Sequence, residues 1–260
     1  MSQYSEFLIL GWDGRSLLWS NGAAGRTEQA GEVEATDPAS LNAACLNLKA
    51  SGLGKEVVVF HRRHAFFTAA PASVAEGHEE QLLRLHLGPQ EGAYSNQVFH
   101  SDAFGDDMVL MERWESEAVQ RDVQRVWPHA RFESSTLRWL EKIGADSRVG
   151  EGPMIAVDIG LTRALLARLE EGQLKWAIVT EDLEGDGLLY HVVNAMHQDG
   201  LEPAASGAQI MLSGEVERGD AWHSVFNQFF SQVKIVQPEM KEVGMKTQRL
   251  ALHSNIIKCA

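Results

Sequence analysis

Three short segments of the chain carry residue types that could bind a phosphate group. Asp158-Ile159-Gly160 follows an apolar run and has the form of a phosphate-cradling turn, because glycine lets an anion approach the backbone N–H groups closely. Thr162 adds a hydroxyl group just beyond that turn, and Ser213-Gly214 and Asp13-Gly14 each follow another apolar run. If the fold brings these segments together, they predict an anion-binding edge.

The same segments also carry residues that oppose phosphate binding. Trp12 is a bulky side chain beside Asp13-Gly14, and Asp-Gly between two apolar runs is in addition an ordinary β-hairpin signal. Leu161 places a side chain where a phosphate would approach, and the carboxylate of Glu215 would repel a polyphosphate. Arg163 has two interpretations, because it could contact an anion or lie on the exposed face of an alternating strand.

Composition excludes several classes of protein. The 260 residues include 36 acidic and 23 basic side chains, a formal charge of −13, which argues against nucleic-acid and anionic-lipid surfaces. No apolar run approaches the roughly 20 residues of a membrane helix, and the N-terminus does not resemble a signal peptide, so we expect a cytoplasmic protein without membrane insertion. Cys45 and Cys259 cannot form a disulfide framework, and no metal-binding spacing is present, so no metal site is predicted.

Hydrophobic patterning predicts the same order of elements twice. In the first half, strands are expected at 6–12, 16–20 and on to 36, followed by a helix that Asp37 caps, a strand at 56–61 and an edge strand at 66–70. The second half repeats this order, with predicted strands at 154–158, 164–170, 174–180, 208–212 and 233–236 and predicted helices at 187–198 and 220–233. A doubled order of this kind predicts two related lobes.

A different pattern lies between the two halves. A hairpin at 97–113, a helix at 116–127, a strand at 129–133 and a helix that Ser134 or Ser135 caps form a compact unit at about 97–144. The polar, glycine-rich segment 144–152 is the best boundary. We therefore expect a first lobe at 1–148, which includes this unit, and a second lobe at 149–260.

This order, with Asp-x-Gly at the first turn of a lobe, resembles the actin-like ATPase superfamily. Segment 154–174 looks like the phosphate loop of its second lobe, 208–214 like the adenosine-side loop, and 108–143 like the inserted subdomain of the type IV pilus assembly actin-like protein and a related secretion scaffold. The ending at 250–259 and the length resemble an uncharacterised Bacteroidetes family with this fold. The resemblance implies an α/β protein with a duplicated ribonuclease-H-like fold, whose two lobes contain mixed five-stranded sheets and a small inserted α+β subdomain.

The resemblance also implies functional residues. In active members an aspartate at each Asp-x-Gly turn orients Mg²⁺ or the attacking water, which makes Asp158 and Asp13 the catalytic candidates. ATP with Mg²⁺ is then the implied ligand, and the implied nucleotide-binding residues are Gly160, Thr162, Ser213 and Gly214.

The departures at Trp12, Leu161 and Glu215 favour one function over the others. They predict a non-catalytic or weakly nucleotide-binding scaffold that acts through protein partners, with a homo-oligomer left open. The alternative is an active ATPase or small-molecule kinase that uses Asp158, which would be excluded if Trp12 and Leu161 filled the cleft between the lobes. A ribonuclease-H-like nuclease needs several clustered carboxylates, whereas the predicted central strands carry only Asp158.

Overall fold

The structure is a computed structural model that describes residues 6–12, 15–23, 26–53, 56–61, 67–87, 94–101, 108–115, 117–148, 152–184, 186–203 and 207–236. Within these ranges the strands form two mixed sheets of five strands and a smaller sheet of three. No helix in the same ranges combines the length and the apolar character that crossing a membrane requires.

The first sheet takes its strands from the N-terminal half in the order β3-β2-β1-β4-β8. The strands are β1 (Glu6–Trp12), β2 (Ser16–Ala23), β3 (Arg26–Glu34), β4 (Glu56–His61) and β8 (Arg131–Ser134). Strands β1, β2 and β3 form antiparallel pairs, whereas β4 runs parallel to β1 and to β8. Because side chains alternate along a strand, Leu8, Leu10 and Trp12 all face the same side of this sheet.

Two helices cover that side of the first sheet. Helix α1 (Pro38–Ala50) begins where Asp37 accepts a hydrogen bond from the backbone N–H of Ser40 at 2.9 Å, and Pro38 fits the first helical position. Helix α4 (Glu117–Val126) packs beside α1 and places three valines in the same apolar core. The first lobe is thus built as a helix layer on a mixed sheet.

The second sheet repeats this topology in the order β11-β10-β9-β12-β13. Its strands are β9 (Met154–Ile159), β10 (Ala164–Glu170), β11 (Gln173–Thr180), β12 (Gln209–Gly214) and β13 (Val233–Ile235). Helices α6 (Gly187–Gln198) and α7 (Ala221–Phe229) cover one side, where Ile155, Val157 and Ile159 of β9 enter their core. Two sheets with one strand order confirm the predicted duplicated α/β fold.

The third sheet, called the inserted sheet below, has the order β5-β7-β6 and carries two helices. Its elements are β5 (Phe67–Pro71), α2 (Ala72–Ala75), α3 (Glu79–Leu87), β6 (Tyr94–His100) and β7 (Met108–Glu115). It does not coincide with the unit predicted at about 97–144, because the unit's first helix packs on α1 and its last strand joins β4. The sheet instead contains β5, which begins 41 residues before β7. The two strands pair antiparallel, with Phe67 opposite Glu112.

Helix α5 (Ser135–Ser147) packs against both the inserted sheet and the second sheet, which also contact each other directly through β5 and β11. Ser134 caps it, as the sequence predicts, by accepting a hydrogen bond from the N–H of Leu137 at 2.9 Å. The buried residues Leu140 and Ile143 pack in one cluster with Leu110 of the inserted sheet and with β9 and β10. Helix α5 therefore covers the side of the second sheet opposite α6 and α7.

Three details differ from the sequence-based expectations. The helices α2 and α3 were not predicted, and β5 is a strand of the inserted sheet and not an edge of the first. The helix predicted at 220–233 ends at Phe229, because Phe230 has an extended backbone. The division of the chain at residue 148 stays a prediction.

Candidate functional site

The candidate site lies at the edge of the second sheet where β9 and β12 end side by side. The parallel register pairs Asp158 with Ser213 and Ile159 with Gly214, so the two segments that sequence analysis singled out are neighbours. Strand alternation points Asp158 to the same side as Ala156, which is the side that α5 covers. Asp158 is consequently buried, with only 4% of its surface exposed.

A chain of hydrogen bonds links Asp158 to helix α5. The hydroxyl of Ser213 donates to Oδ1 of Asp158 at 2.6 Å, and the indole N–H of Trp139 donates to the hydroxyl oxygen of Ser213 at 3.2 Å. Ser213 and Trp139 are also buried. The carboxylate that could orient a metal or water is therefore engaged by the protein, and Ser213 links it to the indole N–H of Trp139 on α5.

The turn that follows Asp158 uses its own backbone donor. The N–H of Gly160 donates to the carbonyl oxygen of Arg163 at 2.8 Å, so it closes the turn and does not point to an external anion. Leu161 and Thr162 are exposed at the tip. The guanidinium of Arg163 donates to Oε1 of Glu181 at 2.7 Å, which favours the structural interpretation of this arginine over anion binding.

The segment after β12 is joined directly to the end of β9. The N–H of Glu215 donates to the carbonyl oxygen of Ile159 at 2.7 Å. Gly214 has a φ of 88°, and a Cβ atom there would overlap the same carbonyl oxygen, so only glycine allows this approach. The loop that follows β12 and the turn that follows β9 are therefore in direct contact.

Carboxylates surround this edge of the second sheet. The N-terminus of α7 is capped by Asp220, which accepts hydrogen bonds from the N–H groups of His223 at 2.8 Å and Glu217 at 2.6 Å. The other acidic side chains in the loops that follow β11 and β12 are Glu181, Asp182, Glu184, Asp186, Glu215 and Glu217. Because like charges repel and the positive end of α7 is already neutralised, this edge disfavours a polyphosphate.

Among the described residues of the first sheet, the place that corresponds to Asp158 has no carboxylate. Asp158 is the next-to-last residue of β9 and lies opposite residues of β10 and β12. The next-to-last residue of β1 is Gly11, which lies opposite Leu18 of β2 and Phe60 of β4 in the same way. The neighbouring residues agree, because Trp12 and Ile159 both face the helices of their own lobe. The other catalytic candidate, Asp13, lies with Gly14 outside the described residues.

Trp12 and Leu161 lie in different surroundings. Trp12 packs into the core between β1 and α1, where its indole N–H donates to the carbonyl oxygen of Ala35 at 2.7 Å, and Leu161 is 45% exposed. The condition that would exclude an active ATPase or small-molecule kinase, a cleft filled by these two side chains, is therefore not met. Trp139, which sequence analysis missed, is linked to Asp158 through Ser213.

The structure thus brings together four of the predicted site residues, Asp158, Gly160, Ser213 and Gly214, and leaves Thr162 exposed at the turn. Trp139 lies four residues before Ile143, on the same apolar face of α5, so its spacing resembles that of an ordinary core residue. In the parts of the chain that the structure describes, no group of three or more His, Cys, Asp or Glu side chains is placed to hold a metal ion.

Comparison of sequences finds no relatives for this chain. No protein-family model matches it, and no curated protein is similar to it.

Comparison of structures finds clear similarity over the whole chain. A Bacteroides thetaiotaomicron protein described as having an actin-like ATPase fold and unknown function is 16% identical, with a TM-score of 0.75 over 100% of both chains. The PilM–PilN type IV pilus biogenesis complex matches at 12% identity and a TM-score of 0.62 over 96% of this chain and 98% of the other. The cytoplasmic domain of EpsL, an inner membrane component of the type II secretion system of Vibrio cholerae, matches at 10% identity and 0.53 over 97% and 95%. This chain has the actin-like ATPase fold.

Proposed function

We propose that this protein is a non-catalytic scaffold with an actin-like ATPase fold, which acts through contacts with other proteins. The observation that carries the proposal is the burial of Asp158, which is hydrogen-bonded to Ser213 and through it linked to Trp139, together with Gly11 at the corresponding place in the first sheet. Catalysis between two lobes needs groups that reach the reacting phosphate from both sides. Among the described residues, the place in the first sheet that corresponds to Asp158 has no side chain, and Asp158 itself is held by the protein.

Surface residues support a role in protein contacts. The inserted sheet and its helices expose large apolar side chains, with Leu85 80% exposed, Val74 49% and Val98 40%. Exposed apolar groups are typical of surfaces that meet a partner where they form one contiguous patch. The pilus complex and the secretion-system component with similar folds, PilM–PilN and EpsL, are themselves parts of larger assemblies.

An active ATPase or small-molecule kinase is the second candidate, because Asp158 itself is retained. For this function Trp139 and Ser213 would have to release the carboxylate, and the backbone hydrogen bond between Glu215 and Ile159 would have to open. Releasing two buried hydrogen bonds costs about 1–3 kcal/mol for each group left unpaired, which a ligand would have to offset.

Isothermal titration with Mg-ATP and an assay of phosphate release distinguish the two functions. We expect no binding in the sub-millimolar range and no turnover by the wild-type chain, because the N–H of Gly160 closes the turn and Asp158 is held by Ser213. Sub-millimolar binding with turnover that Asp158→Asn abolishes would contradict the scaffold proposal.

Asp186→Asn is the matched control. It makes the same chemical change at an exposed carboxylate near the same edge, where the side chain makes no capping hydrogen bond. If Asp186→Asn lowers turnover as much as Asp158→Asn does, the activity depends on the charge of the edge and not on Asp158.

A further inference from the structure

A second buried carboxylate, Glu112, lies outside the site described above. It belongs to β7 of the inserted sheet, and only 1% of its surface is exposed. The indole N–H of Trp114 donates to Oε2 at 2.7 Å, and the hydroxyl of Ser134 donates to Oε1 at 2.6 Å. Burial raises the pKa of Glu112, and the hydrogen bonds from Ser134 and Trp114 oppose that change.

Glu112 acts on the first turn of helix α5 through Ser134. The oxygen of the Ser134 hydroxyl accepts the N–H of Leu137, while its proton points to Glu112. The carboxylate therefore fixes the orientation in which Ser134 caps the helix. A change in the position of β7 moves the cap, and the cap sets where α5 begins.

The same helix reaches the Asp158 turn five residues later. Trp139 donates to Ser213, which donates to Asp158. At about 1.5 Å per residue, Ser134 and Trp139 are separated by roughly 7.5 Å along one rigid helix. Glu112 of the inserted sheet is thus linked to the start of α5 through Ser134. Asp158 of the second sheet is linked to Trp139 of the same helix through Ser213.

Apolar packing makes it difficult for α5 to move against one sheet alone. Leu137, Leu140 and Ile143 share a single cluster with Leu110 of the inserted sheet and Leu165 of the second sheet. A further hydrogen bond runs from the hydroxyl of Ser101, just after β6, to Glu141 of α5 at 3.0 Å. Because close-packed interiors rearrange as units, a shift on one side of the helix disturbs the other side.

We propose that α5 is a coupling helix. A change in the position of the inserted sheet at Glu112 is transmitted through α5 to the Asp158 turn, and a change at that turn is transmitted back to Glu112. Occupation of the inserted sheet by a partner then alters how firmly Trp139 and Ser213 hold Asp158. This coupling does not depend on whether nucleotide binds, so it stands or fails separately from the scaffold proposal.

Two indole N–H groups report on the two ends of the coupling in the intact chain. Trp114 donates to Glu112 and Trp139 to Ser213, so their ¹⁵N–¹H resonances can be assigned among the seven tryptophans by single Trp→Phe changes. We expect Glu112→Gln to displace the Trp139 resonance and Ser213→Ala to displace the Trp114 resonance, because thermodynamic coupling is reciprocal. Amide exchange at residues 158–160 should become about tenfold faster in Glu112→Gln, the change that the loss of one buried hydrogen bond produces.

Glu133→Gln is the control, because it makes the same chemical change next to Ser134 but in a partly exposed ion pair with Arg138. We expect it to leave both resonances in place. If Glu112→Gln does not fold, Trp114→Phe removes one donor from the carboxylate and is read at Trp139 in the same way. The proposal is overturned if each variant changes only the resonances at its own end, or if Glu133→Gln displaces both resonances as far.

Discussion

The carboxylates of Glu112 and Asp158 are both buried, but they accept hydrogen bonds in different arrangements. Asp158 accepts a hydrogen bond from a serine that is itself held by an indole, whereas Glu112 accepts from a serine and an indole separately. The donors to Glu112, Ser134 and Trp114, carry no formal charge and stabilise its carboxylate only in part, so burial raises the pKa of Glu112.

Glu112→Gln should remove a pH dependence of the stability of the fold. The pKa of Glu112 is raised by burial, so its contribution is most favourable at low pH, below the pKa of the unfolded chain, and is lost as pH rises through the folded pKa. Each unit by which the folded pKa exceeds the unfolded one corresponds to about 1.4 kcal/mol. We expect the free energy of unfolding of Glu112→Gln, relative to wild type, to increase between about pH 4 and pH 8. Urea unfolding across this range measures it.

Glu133→Gln again provides the comparison, since it makes the same chemical change in a partly exposed carboxylate that pairs with Arg138. A constant difference for Glu112→Gln over the whole range would show that Glu112 titrates alike in the folded and unfolded chains.

In the first sheet, the aromatic ring of Trp19 lies directly against a glycine of the neighbouring strand. Trp19 of β2 pairs with Gly31 of β3, and a Cβ atom on Gly31 would lie 2.6 Å from the indole nitrogen and 2.7 Å from the ring carbon Cε2. Glycine within a strand usually weakens it, but here it leaves room for the tryptophan. The ring of Trp19 thus packs closely against the edge strand β3 at Gly31.

Gly31→Val should destabilise the protein although valine favours strands. The new side chain must displace Trp19, and we expect a loss of about 1–3 kcal/mol, as for other overpacked positions. Gln29→Val adds the same side chain at an exposed position of β3 and should change stability by about 0.5 kcal/mol or less. Urea unfolding measures both, and equal losses in the two variants would contradict the role of Trp19.

Local patterns account for the elements that sequence analysis placed well. Asp37 with Pro38, Ser134, and the apolar runs of β1 and β9 each define a boundary through contacts within a few residues. The inserted sheet could not be predicted in this way, because β5 and β7 meet only through pairing of residues about 40 positions apart. The hydrogen bond from Trp139 to Ser213 joins α5 to β12 across 74 residues, and no local spacing encodes it. The resemblance to actin-like ATPases named Asp158 and Ser213 as candidates, and the parallel register of β9 and β12 pairs them.

Across the whole molecule, α5 joins the inserted sheet to the second sheet through one apolar cluster. Leu140→Ala removes a fully buried side chain from that cluster and should lower the free energy of unfolding by about 2–5 kcal/mol. Because the cluster is shared, hydrogen exchange should become faster in both β7 and β10. Exchange mass spectrometry of the variant measures this spread.

Leu46→Ala is the matched control on another helix. Leu46 lies on α1 and is 51% exposed, so its removal should change stability by about 0.5 kcal/mol or less. Faster exchange in β10 alone, with β7 unchanged in Leu140→Ala, would mean that the inserted sheet does not share its stability with the second sheet through α5.

The position of α5 in the chain has a consequence for synthesis on the ribosome. All five strands of the first sheet precede α5, whereas β9 and β10, which cover its apolar side, follow it. The nascent chain therefore completes one sheet while Leu140 and Ile143 still await their later partners. During that interval the helix presents an apolar stripe to chaperones, and slow translation after residue 147 would prolong it.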